Sequence, residues 1–189
     1  MALFKKKEKK TCAICGKELG FLNSTGLSDG NAICDDCAKR VEDSLDSVGG
    51  ATLDQVKAVL ARQEQETAAA REKLAELGDF QSCLAVEDFY SISPKATDVG
   101  IKRAKLLKDR MVVSGPVRFG SFQNGDAVTL IHEGQKRSVT LLECYRRDAS
   151  DLMTELGANL QKKGVREGDQ AWLILDLGDG VSHGDLVAK

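Results

Sequence analysis

Two C-x-x-C pairs set the tightest limit on what this chain can fold into. Cys12-Ala-Ile-Cys15 and Cys34-Asp-Asp-Cys37 lie eighteen residues apart in a sequence of 189. Each C-x-x-C turn carries two thiolates on one side of a tight knuckle, so two knuckles complete a tetrahedron of sulfurs around one Zn²⁺. A segment of about 50 residues with few large apolar side chains needs such a staple to fold. Disulfides are the alternative pairing, and a reducing compartment disfavours them. All four ligand positions would be filled by protein, leaving none for water or substrate, so the expected ion is structural. Gly16 gives the first knuckle room to turn, and Gly20, Gly26 and Gly30 supply the turns of a short β-hairpin. After Cys37, AKRVEDSLDSV spaces Val41, Leu45 and Val48 as a helix that would stop at Gly49-Gly50. A second knuckle opening into a helix suggests a treble-clef finger, with a zinc ribbon as the alternative. Cys83 and Cys144 lie far from the cluster in apolar, strand-like surroundings and are expected as buried small hydrophobes.

Cys12-Ala-Ile-Cys15-Gly16-Lys17, the stretch Leu19-Gly20-Phe21-Leu22, and Asp29-Gly30 leading to Ile33-Cys34-Asp-Asp-Cys37 carry a resemblance. Through them residues 11–50 resemble a family of short, uncharacterised bacterial zinc-binding domains, ribbon-like and with four cysteines. The resemblance implies a metal site and no particular activity.

Residues 52–78 read as one long helix that separates two domains. Thr52 and Gln55 have capping-box spacing, and Gly78 stands where a helix C′ residue belongs. Leu53, Val56, Leu60, Thr67, Ala70, Leu74 and Leu77 fall on one seam, interrupted by Gln63. Such a seam serves either a short coiled-coil dimer or a spacer lying against a domain of its own chain.

From residue 79 the apolar period changes to two. CLAVEDFYSIS, RMVVSGPVRFGSF, DAVTLIH, KRSVTLLECY and DQAWLILDL are rich in β-branched or aromatic residues and bounded by Gly, Asn or Asp. Five or six such strands predict a closed or nearly closed antiparallel barrel over residues 79–189. The order Leu84-Ala-Val-Glu-Asp-Phe-Tyr-Ser-Ile-Ser93, Val113-Ser-Gly-Pro-Val-Arg-Phe-Gly120, Asn124-Gly-Asp-Ala-Val128, Arg166-Glu-Gly-Asp-Gln-Ala-Trp-Leu-Ile-Leu175 and Gly184-Asp-Leu-Val-Ala-Lys189 is similar to the second domain of elongation factor Tu and related translational GTPases. In that reading the recurring Gly-Asp steps are turns at the barrel rim. Two segments depart from the pattern. PKATDVGIKRAKLLKDR is inserted before Met111, and RRDASDLMTELGANLQKKG, with Leu152, Leu156 and Leu160 at helical spacing, follows Tyr145. No binding residue of that family carries over.

The remaining signals narrow the function. Formal net charge is −2, so bulk charge drives the chain toward neither nucleic acid nor acidic lipid. MALFKKKEKK is read as a solvated tail over residues 1–10: it lacks the apolar core of a signal peptide, and no segment is apolar enough to span a membrane. A cytoplasmic location is therefore expected. There is no G-x-x-x-x-G-K-[ST], so no nucleoside triphosphate site is expected despite the translation-factor resemblance. His132 and His183 stand near no nucleophile or orienting acid in the sequence and are read as solvated loop residues, so no catalytic residue is assigned. A basic run, Lys102, Arg103, Lys105, Lys108 and Arg110, is the candidate nucleic-acid contact, with a plain solvated helix face as its alternative. The sequence thus predicts a finger over 11–51, a helical spacer over 52–78 and a barrel over 79–189. The expected role is a non-enzymatic zinc-binding adaptor whose barrel docks a protein partner or a second copy of the chain. An RNA- or ribosome-associated accessory factor is the alternative. A metal- or redox-sensing switch is weaker, because a closed four-cysteine site is normally inert.

Overall fold

The computed structural model describes residues 10–20, 22–92, 106–147 and 164–189. It divides into two units, Met1–Gln65 and Glu66–Lys189.

In the first unit, Cys12–Cys15 forms the first knuckle. Gly16 adopts φ +73° and donates its N–H to the Cys12 carbonyl at 2.9 Å, and Thr11 bridges Glu18 across the turn. The expected hairpin follows as β1 (Ser24–Gly26) and β2 (Ala32–Cys34), paired antiparallel from Ser24↔Cys34 to Gly26↔Ala32. Cys34 ends β2 and immediately precedes α1 (Asp35–Val41), whose first turn holds Cys37. Knuckle, hairpin and helix thus come in the treble-clef order. The helix is shorter than its apolar spacing predicts: α1 gives way to a 3₁₀ turn at Glu42–Ser44 and then ends. Asp43, Ser44, Asp46 and Ser47 carry short polar side chains that compete with helical hydrogen bonds, and acids at a helix C-terminus oppose its dipole. Leu45 and Val48 still pack on the finger core, around fully buried Ile33 and Val41.

The long helix, α2 (Leu53–Ala75), starts with the expected capping box. Thr52 N–H donates to Gln55 Oε1 at 2.8 Å, and Gln55 N–H to Thr52 Oγ1 at 3.3 Å. Its seam is spent inside the chain. Val56 and Leu60 join the finger core, while Ala70 and Leu74 join a cluster with Cys83, Phe119, Ile131, Leu186 and Ala188 in the second unit. Gln63, the polar interruption, donates Nε2–H to the Arg40 carbonyl at 2.9 Å. Thr67 Oγ1 reaches the Arg118 carbonyl at 3.4 Å. The seam's spacing is therefore explained without a second helix.

The second unit is the predicted barrel. Its strands are β3 (Cys83–Ala85), β4 (Asp88–Ser91), β5 (Met111–Phe119), β6 (Ser121–Phe122), β7 (Ala127–His132), β8 (Gln135–Arg146), β9 (Val165–Arg166), β10 (Gln170–Leu175) and β11 (Leu186–Ala188). Going round, β3 pairs β5, β5 pairs β10, then β8, β7 and β11 follow, and β11 returns to β3, all antiparallel. Six strands thus close the ring, with β4 continuing the bent path of β3 along β5. Closure removes the edges that apolar strands such as β10 would otherwise present. Alternate side chains fill the interior, among them Leu84, Val113, Val117, Leu130, Leu141, Leu173 and Val187. Gly115 is where β5 passes under the β3–β4 bend: a Cβ there would lie 1.9 Å from the Ala85 carbonyl oxygen. The opposite face of β5, β8 and β10 carries a second cluster, with Val112, Tyr145, Trp172 and Ile174.

The Gly-Asp steps are three copies of one turn. Gly125, Gly168 and Gly184 adopt φ +88°, +85° and +83°, as the third position of a type II turn requires. Each following aspartate donates its N–H to the carbonyl three residues back, Gln123, Arg166 or Ser182, at 3.2, 2.9 and 3.3 Å. The Oδ2 atoms of Asp126, Asp169 and Asp185 accept the N–H of those same residues at 2.7, 2.9 and 2.8 Å. Each carboxylate also meets a base: Asp126 meets Lys189 at 2.8 Å, Asp169 meets Arg146 at 3.6 Å, and Asp185 meets His132 at 2.9 Å. Strands β7 and β10 both run opposite to β8, so their turns share one rim; β11 runs opposite to β7, so its turn lies on the other.

Candidate metal centre

Three local structures deliver the four sulfurs. Cys12 opens the first knuckle, Cys15 ends it, Cys34 closes β2, and Cys37 sits in the first turn of α1. All four Sγ atoms lie within 4.8 Å of one another. Cys12 and Cys37 are 3.8 Å apart, and Cys15 and Cys34 3.7 Å. A tetrahedron with metal–sulfur bonds of about 2.3 Å has sulfur–sulfur edges of about 3.8 Å, so the cage has the dimensions of an S₄ ion site. No two cysteines are joined; Cys12, Cys34 and Cys37 are buried and Cys15 is exposed. A tetrahedral S₄ set suits zinc or iron.

The electrostatics of Cys12 and Cys37 show what a cation would change. Burial works against ionising Cys12, but backbone N–H groups of Cys15, Cys34 and Ile14 outweigh it and bring that thiol to about 6. Cys37 moves the other way, pushed up by burial and then by hydrogen bonding with the other three thiols. One thiolate is thus favoured and a second discouraged, until a divalent ion supplies the charge that lets all four ionise.

Spacing alone did not point to the neighbours of the cage. Lys17 Nζ holds Asp36 Oδ2 at 2.8 Å, tying the first knuckle to α1. The Lys17 ammonium is raised above its ordinary value by Asp36 first, and then by the sulfurs of Cys34 and Cys15. Asp29, in the β1–β2 loop, accepts Leu53 N–H at 2.8 Å and Asn31 N–H at 3.1 Å, which lowers its carboxyl below the usual range. The signal for Asp29 was the Asp-Gly turn itself, a residue type that binds nearby backbone N–H groups.

Cys83 and Cys144 are buried and outside the cage. Burial pushes the Cys83 thiol up to about 12 and the Cys144 thiol up to about 11, as inert structural cysteines require. Of the basic run, Lys102, Arg103 and Lys105 lie outside the described residues, as do the tail over 1–9 and Leu152, Leu156 and Leu160 of the second insertion. Lys108 lies 4.0 Å from Asp109, and Arg110 pairs with Asp176 at 3.0 Å. The histidines are tied rather than merely solvated. His132 Nδ1 faces Asp185 Oδ1 at 2.9 Å, and His183 Nδ1 lies 2.6 Å from the Glu87 carbonyl with its ring against Phe89. No described helix is long and apolar enough to cross a membrane.

No curated protein matches the chain. Residues 10–59, which hold all four cysteines, β1, β2, α1 and the first turns of α2, match the family described as Domain of unknown function (DUF4428).

Proposed function

We propose that this chain is a non-enzymatic zinc-binding interaction protein: a structural Zn²⁺ held by Cys12, Cys15, Cys34 and Cys37 folds the finger, and the barrel serves as a docking module. The observation that carries the reading is the cage itself, four sulfurs within 4.8 Å of one another, with two of the pairs at 3.8 and 3.7 Å. Zinc is favoured over iron because a closed thiolate tetrahedron built on two knuckles is the usual structural zinc set. The ion would fix the fold and take part in no reaction, since every ligand position is a protein sulfur. The partner is a protein or a second copy of the chain, in keeping with a net charge of only −2.

The resemblance of the barrel sequence to translation factors supports the other reading, an RNA- or ribosome-associated factor. Co-sedimentation of the tagged full chain with ribosomes, with and without RNase, separates the two. The adaptor reading expects no ribosomal fraction, and a bound partner retained after RNase. Ribosomal co-sedimentation abolished by RNase would replace it with the RNA reading.

A further inference from the structure

The loop between β1 and β2 and the start of α2 are joined by more than the chain connection. Asp29 Oδ2 accepts the Leu53 N–H at 2.8 Å, so a residue of the finger loop caps the helix. Ser28 N–H donates to the Ala51 carbonyl at 3.0 Å, pinning the residues just before the helix to the same loop. The loop is in turn held to the cage. Asp29 Oδ1 takes the Asn31 N–H, Leu27 N–H donates to the Asn31 carbonyl at 2.8 Å, and β2 runs from Ala32 directly to Cys34. Ala13, between the first two cysteines, donates its N–H to the Ala32 carbonyl at 3.0 Å.

The apolar contacts follow the same path. Val56 is fully buried and Leu60 nearly so, in the cluster that contains Cys12, Cys34 and Cys37. Farther along α2 the partners change: Ala70 and Leu74 are buried with barrel residues, away from the cage cysteines. Residues 53–65 are joined to the barrel-packed half of α2 only by helix propagation, which gains little free energy per residue in water. Their stability comes from a cap and an apolar face that the finger supplies.

We propose that metal occupancy of the four-thiol cage sets where α2 begins: at Leu53 when the ion is bound, and beyond Gln65 when it is absent. This rests on the metal-site reading above and adds a consequence to it. Without the ion the finger loses its staple, Asp29 no longer holds its place at the Leu53 N–H, and Val56 and Leu60 lose their partners. The half of α2 that carries Ala70 and Leu74 keeps its contacts. The ion is thus read out as helix length.

Hydrogen exchange on the full chain, with zinc measured in the same samples, tests this. In loaded protein the amides of residues 56–64 should be protected. Chelation should cut that protection about tenfold or more while residues 70–75 and the barrel keep theirs, and zinc should restore it. Protection of 56–64 that survives measured loss of the metal would overturn the inference and leave the metal site standing. Reduced protein that retains no metal and binds no added Zn²⁺ or Co²⁺ would remove the site itself. Asp29→Ala separates the route: it should bind one equivalent of Co²⁺ with unchanged thiolate absorption, yet lose protection at the first amides of α2. Unchanged protection there would exclude Asp29 as the link.

Discussion

Asp126, Asp169 and Asp185 do the same work at three places in the barrel, and what distinguishes them is the base each one meets. For Asp185 that base is His132, which makes one of the three turns sensitive to pH. The Asp185 carboxylate, by hydrogen bond and charge, raises the His132 imidazole above its ordinary value, with Glu133 adding a smaller push. A raised imidazole stabilises the fold fully below its unfolded value of about 6.5, and that contribution is lost as pH rises through the folded value. The melting temperature of the barrel should therefore carry a component that falls as pH rises from about 6.5 through the raised folded value. His132→Asn should remove that component, and an unchanged pH profile in the variant would show that the pair contributes nothing. The glycines separate in the same way by cause. Gly125 has open space around it, so Gly125→Ala should cost only the strain of positive φ, about 1–2 kcal/mol. Gly115→Ala would drive a methyl into the Ala85 carbonyl and should cost about 3 kcal/mol or more, or prevent folding. Urea melts of the two variants check the order, and equal losses would contradict it.

At the scale of elements, the signals that proved legible are those whose cause is local. The C-x-x-C pairs, the Thr52–Gln55 capping box, the glycine-bounded hairpin and the period of two from residue 79 all express contacts within a few residues, and each is present in the structure. The failures share a different cause. α1 stops at Val41, because Leu45 and Val48 can reach the finger core from irregular backbone as well as from a helix. Asn124-Gly125 makes the expected turn, and it lies between β6, which pairs β9, and β7, which pairs β8 and β11. What the sequence reading missed is a two-residue hairpin at Glu133-Gly134, both at positive φ between His132 and Gln135, where the residue types give a weaker signal. The seam of α2 was visible, but a seam does not say what covers it. Leu74, almost fully buried against the barrel, supplies a test. Leu74→Ala should destabilise the barrel by about 2–5 kcal/mol, and no loss in a denaturant melt would mean that this half of α2 is not part of the barrel's fold.

At the scale of the molecule, the two units have different reasons to be stable. The barrel closes on its own strands and buries a continuous apolar interior. The finger core holds few large side chains, and three of its buried members are cysteines of the cage. A fragment of residues 66–189 should therefore melt cooperatively without metal. One starting at residue 79 should be less stable, because it strips Ala70 and Leu74 from Phe119 and Leu186. Metal binding energy of about 10–16 kcal/mol is of the size that decides whether so small a finger folds at all. The most direct measurement is the metal content of the full chain, purified under reducing conditions without chelator. The account predicts one zinc per chain, released when the four cysteines are blocked by a thiol reagent, with unfolding of the finger and no change in the barrel. Protein that contains no zinc, with Cys12, Cys15, Cys34 and Cys37 as free thiols and the finger still folded, would contradict it.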